Sequence, residues 1–174
     1  MLLAVLLAPG AATGQGHISQ DEALRLAFPE PASIERRTAF LDDADRQRIS
    51  RKAGSEFDAG VVTYYVGIGP DGPLGVAWFD VHRVRTLPEV LMIVVSPERS
   101  VRRVEVLRFA EPPDYAPPPG WLERFVGRGL DMDLEGKEPV AGMTGATLTS
   151  RAVTAAVRRA LALQDVIRPL EAAP

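Results

Sequence analysis

The residues of this chain that are best suited to chemistry form a loop rich in hydroxyl groups, residues 144–150, with the sequence Thr-Gly-Ala-Thr-Leu-Thr-Ser. The loop runs directly into a helical sequence, and Thr149 and Ser150 are residue types that favour helix N-caps. The first N–H groups of a helix lack intrahelical acceptors and carry the positive end of its dipole. Because Gly145 and Ala146 are small, they would let a phosphate approach those groups closely. Two interpretations follow from the residues alone: an anion-binding site, or an ordinary capped helix after a tight turn.

A helix must follow this loop to position it, and the sequence after residue 150 predicts one. Val153, Val157 and Leu161 recur every four residues, and Ala156 and Ala160 widen the same apolar stripe. One face of this C-terminal helix is therefore expected to pack on the core, with the hydroxyl-rich loop at its N-terminus.

The segment from Thr144 to Ser150 resembles the Ser/Thr-Gly-Ala-Thr signature of the FMN-binding domain family, which includes flavin subunits of the sodium-pumping quinone reductase and of the Rnf complex. The resemblance implies that Thr147 carries FMN through a phosphoester bond made by a separate Mg²⁺-dependent flavin transferase. The other residues that it assigns to FMN binding are Thr144, Gly145, Ala146, Leu148 and Thr149.

The function implied by the resemblance is that of an electron-transfer module, in which FMN supplies the redox chemistry. Such a module is an electron carrier or a subunit of a redox complex rather than a stand-alone enzyme. Its expected partners are redox proteins, including those of a membrane electron-transfer complex.

Ala141 stands where members of the family commonly have Asp. This difference supports an alternative, an interaction or binding module that keeps the fold without covalent flavin. A hydrolase using Thr or Ser is a weaker third option, because the sequence places no His beside these residues.

The amino-acid composition of the chain excludes several classes of function. The 174 residues are 46% hydrophobic and 25% charged, which suits a single domain, and the net charge of −3 provides no basic surface for nucleic acid. The absence of cysteine excludes disulfides, thiolate catalysis and iron–sulfur ligation.

Residues 1–16 combine a short apolar run with small residues and predict a truncated signal peptide. Residues 17–174 are then expected to form one FMN-binding domain in the periplasm or another extracytoplasmic compartment.

The elements before the loop predict an α+β fold, an antiparallel β-meander packed with N-terminal helices and with the C-terminal helix that follows the flavin-attachment loop. Alternating apolar residues separated by turn-rich sequences indicate four strands joined by short turns. In the second helix, Asp42 is the expected N-cap and Gly54 the expected end. The predicted elements are helices over 19–28 and 41–54, an extended segment over 33–40, and strands over 62–68, 74–81, 89–95 and 101–109.

The region between the last strand and the loop is rich in proline. Residues 111–119 cannot form a helix or an inner strand, because proline lacks a backbone donor, and residues 120–127 predict one or two helical turns. Glu111-Pro112-Pro113 is similar to a Glu-Thr-Pro-like segment that lies near the flavin in the family. The resemblance therefore makes Glu111 a candidate neighbour of FMN.

Few other side chains are candidates for a site. Trp78, Tyr115 and Trp121 are the aromatic residues that we expect could stack on a flavin ring. The two histidines, His17 and His82, lie far apart in the sequence, and neither has a ligand partner at metal spacing.

Overall fold

A computed structural model describes residues 18–130 and 143–171. The predicted signal segment, residues 1–16, lies outside the described residues, as do His17 and Ala141. Within the described part of the chain, no helix is both long and apolar enough to cross a bilayer.

The centre of the fold is a five-stranded antiparallel sheet in which each strand pairs with its neighbour in sequence. This confirms the predicted α+β meander. The extended segment at 33–40 is itself a strand, at the edge of the sheet, so the meander has one strand more than the four that were predicted. The strands are β1 (Ser33–Phe40), β2 (Val61–Gly69), β3 (Gly72–Arg83), β4 (Pro88–Val95) and β5 (Val101–Phe109).

One face of the sheet is covered by the first helix, α1 (Gln20–Ala27). Ser19 caps α1 by accepting a hydrogen bond from the Glu22 N–H at 3.2 Å. Phe28, just after the helix, lies directly over Gly67 of β2. A Cβ at Gly67 would lie only 2.2 Å from Phe28 Cδ1, so the missing side chain makes room for the aromatic ring.

The other face is covered by the remaining long helices, α2 (Asp43–Ala53) and α4 (Thr147–Ile167). As predicted, Asp42 caps α2, with a capping box to Asp45, and Gly54 ends it in the left-handed conformation. The two helices are tied together where Arg158 Nε donates to the Ala53 carbonyl oxygen at 2.8 Å.

The apolar stripe predicted on α4 is buried against the sheet. All five of its residues are at most 2% exposed: Val153, Ala156, Val157, Ala160 and Leu161. Beneath them, Trp78 Nε1 donates to Gln164 Oε1 at 3.2 Å, a buried hydrogen bond that fixes the helix over β3. Because β3 and α4 are joined in this way, the end of β3 and the turn that follows it lie beside the N-terminus of α4.

The segment after β5 packs against β5, the last strand of the described sheet. A 3₁₀ turn (Pro113–Tyr115) precedes the short helix α3 (Pro119–Leu122) and a second 3₁₀ turn (Glu123–Phe125). The helical turns predicted for residues 120–127 are thus present as α3 and the second 3₁₀ turn. Their apolar residues Trp121, Leu122 and Phe125 are buried.

Candidate functional site

The hydroxyl-rich loop forms the first turn of α4, which begins at Thr147 and has Ala146 as its N-cap. The prediction that Thr149 or Ser150 caps the helix is wrong, because both residues are buried inside the first turn. The Ala146 N–H donates to the Met143 carbonyl oxygen at 3.0 Å, and Ala146 O accepts the first helical bond from the Ser150 N–H at 3.1 Å. The helix therefore starts before Thr149 and Ser150, the two residues whose hydroxyl side chains had made them the predicted N-caps.

Ala146 has no side-chain oxygen, so the N-cap residue of α4 provides no side-chain hydrogen bond to the first turn. The N–H groups of Thr147, Leu148 and Thr149 have no hydrogen-bond acceptor among the described residues. The N-terminus of α4 also has no acidic residue in its first turn, whereas α1 and α2 have both a capping side chain and early acids. Among the described residues, three donors and the positive end of this 21-residue helix therefore face neither an acceptor nor a carboxylate, an arrangement that suits an anion.

Gly145 makes this approach possible. Its φ of +81° lies in the left-handed region that residues with a side chain rarely adopt, and a Cβ there would meet no atom of the described residues within 4 Å. The glycine is required by the backbone conformation rather than by crowding. It turns the chain sharply into the helix and places no side chain of its own beside the first N–H groups.

A cavity of about 250 Å³ lies at this end of α4. Five of the six residues that the sequence assigned to FMN line it, and Thr144, which is exposed, does not. Within the cavity wall, Ala146 and Thr149 are buried, whereas the Thr147 and Leu148 side chains are exposed. The lining residues are Val84, Arg85, Glu111, Tyr115, Gly145, Ala146, Thr147, Leu148 and Thr149.

Glu111 shapes the wall opposite the loop. Its Oε1 atom accepts three backbone hydrogen bonds, from Arg85 at 3.1 Å, Thr86 at 2.8 Å and Leu87 at 2.9 Å, in the turn between β3 and β4. These bonds, above all those from Leu87 and Thr86, lower the pKa of Glu111 below its ordinary value. The carboxylate therefore holds this turn in place as one side of the cavity.

Tyr115 is the only one of the three aromatic candidates that lines the cavity. Its ring is partly exposed, and Arg85 Cζ lies 5.8 Å from the ring centroid, within the range of a cation–π contact. The expectation for Trp78 and Trp121 was wrong, because both are buried in the core at 2% and 5% exposure. Their apolar surface is already used in packing against α4 and Phe125.

A charged network that the sequence analysis missed lies on the same face of the sheet as α4. His82 Nδ1 is 2.8 Å from Asp80 Oδ1, and His82 Nε2 is 2.8 Å from Glu89 Oε2. Arg159 of α4 donates to both Asp80 oxygens, at 2.8 and 2.7 Å. The spacing of Asp80 and His82 on one face of β3 was visible in the sequence, but Glu89 and Arg159 join them only through the fold.

The network strongly perturbs its titrating groups. Burial opposes the charged form of His82, but hydrogen bonds to Asp80 and Glu89, and the charges of both carboxylates, outweigh it and raise the His82 pKa to about 9. Burial likewise acts to raise the Asp80 pKa, but hydrogen bonds and charge from His82 and Arg159 lower it to about 2. His82 is therefore a cation at neutral pH. It links β3 and β4 just before their connecting turn reaches the cavity.

Residues 88–162 match the family model of the FMN-binding domain. The matched span runs from β4 through Glu111 and the loop into most of α4, so it contains most of the cavity wall. A comparison with curated proteins found no match.

Proposed function

We propose that this chain, of which residues 88–162 match the FMN-binding domain, binds FMN and is an extracytoplasmic electron-transfer module with FMN attached to Thr147 by a phosphoester bond. The observation that carries the proposal is the position of Thr147. It is the first residue of α4, its side chain is exposed at the cavity, and the N–H groups of Thr147, Leu148 and Thr149 have no acceptor in the part of the chain that the structure describes. A phosphate esterified to its oxygen would lie beside donors that favour negative charge.

The other loop residues have distinct proposed roles. Gly145 and Ala146 keep the approach to the N–H groups open, and Thr149 offers a hydroxyl to the cavity. Leu148 presents an exposed apolar side chain at its rim. Thr144 lies outside the cavity lining, so its proposed contribution is limited to the shape of the loop.

The cavity is too small to enclose the whole cofactor. Pockets that surround a small molecule usually have volumes of about 300–1,000 Å³, and this one has about 250 Å³. We expect part of FMN to lie outside it, along a rim where Tyr115 and Leu148 are exposed. FMN supplies electron transfer when bound, and the apolar rim is where a redox partner could approach.

Attachment requires a donor in which the FMN phosphate is activated as an anhydride. The bond from Thr147 Oγ1 to phosphorus forms, the anhydride P–O bond breaks, the second phosphate group leaves, and the hydroxyl proton passes to the transferase or to water. The product gains the mass of FMN less one water. We propose that a Mg²⁺-dependent flavin transferase performs this step, with Thr147 as acceptor and not as catalyst.

A covalent bond suits a protein outside the cytoplasm, because it removes the loss of cofactor by dissociation. This is the basis on which we propose the periplasm as the location and redox proteins, including a membrane electron-transfer complex, as partners. The apolar run and small residues in 1–16 support export.

Intact-protein mass spectrometry of the chain, co-produced with a flavin transferase, tests the proposal. We expect the added mass on the wild type and on Thr144→Ala, its loss in Thr147→Ala, and its location on Thr147 by peptide mapping. Covalent flavin in Thr147→Ala would show that the acceptor is another residue. Reversible FMN binding without added mass, beside a control substrate that is modified, would favour the alternative of a non-flavinylated binding module.

A further inference from the structure

A second, larger groove of about 460 Å³ runs along β5, the last strand of the sheet on that side among the described residues. Every residue from 102 to 109 lines it, irrespective of the sheet face on which the side chain lies. Its other wall comes from the segment after β5, with Pro117, Leu122 and Val126 among its apolar residues. We call this feature the β5 groove.

The backbone of β5 is open toward the β5 groove. Val101 uses its outer backbone groups, since its N–H donates to Arg128 O and its carbonyl oxygen accepts from the Gly127 N–H, both at 2.8 Å. Beyond Val101, no backbone group outside β4 bonds to residues 102–109 within the described part of the chain. A strand edge of this kind is a template for an additional extended chain.

The charged residues that line the β5 groove indicate which kind of chain could pair with β5. The strand carries Arg102, Arg103 and Arg108 against one carboxylate, Glu105, which is already paired with Arg103 at 2.9 Å. The facing wall adds a single exposed carboxylate, Glu123. Two copies of β5 paired edge to edge would bring their arginines together, and like charges across a strand pair are destabilising. An acidic chain would instead meet this surplus of positive charge.

We propose that the β5 groove is a docking site for an extended, acidic segment of a partner protein, which pairs with the outer edge of β5 as an additional strand. Backbone hydrogen bonds supply the pairing, and apolar side chains of the segment face the Pro117, Leu122 and Val126 wall. Its carboxylates meet Arg108 and Arg102, whose Nη1 also donates to the Leu74 carbonyl oxygen at 3.1 Å but whose charge no carboxylate offsets among the described ion pairs. This interaction does not depend on flavin attachment.

The test uses a blocked synthetic peptide of about eight residues, roughly the length of one strand, in which Glu alternates with Val. Backbone amide NMR shifts and hydrogen exchange locate its binding, and fluorescence anisotropy measures affinity. We expect protection of amides within residues 102–109, loss of binding when alternate peptide nitrogens are methylated, and weak binding of a peptide with Lys in place of Glu.

The protein variants test the charge requirement. The double variant Arg102→Glu and Arg108→Glu should weaken binding by about tenfold, the sum expected from two exposed ion pairs. Arg36→Glu, an exposed arginine on β1 at the opposite edge, is the matched control and should leave affinity unchanged. The proposal is overturned by any of three results: no perturbation of β5 amides at millimolar peptide, equal binding to the double variant, or concentration-dependent dimerisation that protects β5 without peptide.

Discussion

Alkaline pH should destabilise this protein through His82. The folded-state pKa of His82, about 9, lies above its ordinary value of 6.5. Between these two pH values, the folded protein keeps a proton on His82 that the unfolded chain has lost. The stabilising effect is fully present below pH 6.5 and disappears as the pH rises through about 9. We therefore expect the free energy of unfolding to fall across this window in the wild type and to stay nearly flat there in His82→Gln.

The size of the effect follows from the two pKa values. At about 1.4 kcal/mol for each tenfold change in proton affinity, the change from 6.5 to about 9 corresponds to roughly 3 kcal/mol. The His82 and Asp80 side chains keep 12% and 15% of their surface exposed. Because solvent screens the charges there, we reduce the expected loss of stability to about 1–2 kcal/mol.

Urea denaturation at closely spaced pH values from 6 to about 10 measures this loss, and NMR of the imidazole protons gives the His82 pKa directly. The chain has only two histidines, so His82→Gln and His17→Gln assign both signals. An imidazole titration midpoint for His82 near 6.5, or parallel pH profiles for wild type and His82→Gln, would show that the network does not hold a proton on His82.

Three further predictions concern the loop, the cavity wall and the core. Gly145→Ala should cost about 1–2 kcal/mol in urea denaturation, because the φ of +81° is strained with a Cβ; an unchanged midpoint would mean that the loop adopts another conformation. Glu111→Gln should weaken reversible FMN binding several-fold in calorimetric titration, because a neutral acceptor holds the three turn amides less strongly; unchanged affinity would show that the turn needs no carboxylate. Trp78→Phe should cost about 1–3 kcal/mol by leaving buried Gln164 Oε1 unpaired, without altering the visible spectrum of bound flavin; a spectral change would place Trp78 near the ring after all.

Much of the fold was predictable because it depends on local signals. Asp42 and Gly54 are strong helix boundaries whatever surrounds them, and the apolar stripe of α4 has a period that only a helix satisfies. The edge strand β1 was harder to recognise because it is polar at Glu35, Arg36 and Arg37 and is only partly covered. An edge strand is buried less than an inner strand, so apolar and polar residues alternate less clearly along its sequence.

The candidate site was predictable only in part. The motif resemblance identified the loop around Thr147 and indicated Glu111, and the structure brings both to one cavity. The start of α4 was placed too late because N-cap preferences favoured hydroxyl side chains, whereas the turn at Gly145 makes Ala146 the cap. Neither burial of the two tryptophans nor the pairing of Asp80 with Arg159 can be read from local sequence, since each depends on how α4 lies across the sheet.

The strict meander order of the sheet also bears on how the site comes into existence. Each strand pairs with its sequence neighbour, so the sheet can form by successive hairpins that close only short loops. The cavity is different, because it joins the turn after β3 to a loop some sixty residues later, and Asp80 must find Arg159 across 79 residues. Because such contacts close long loops, we expect them to form after the hairpins. Without α4 in place, the residues from 145 to 149 would not line this cavity, so the site proposed for FMN requires the long-range contacts as well as the sheet.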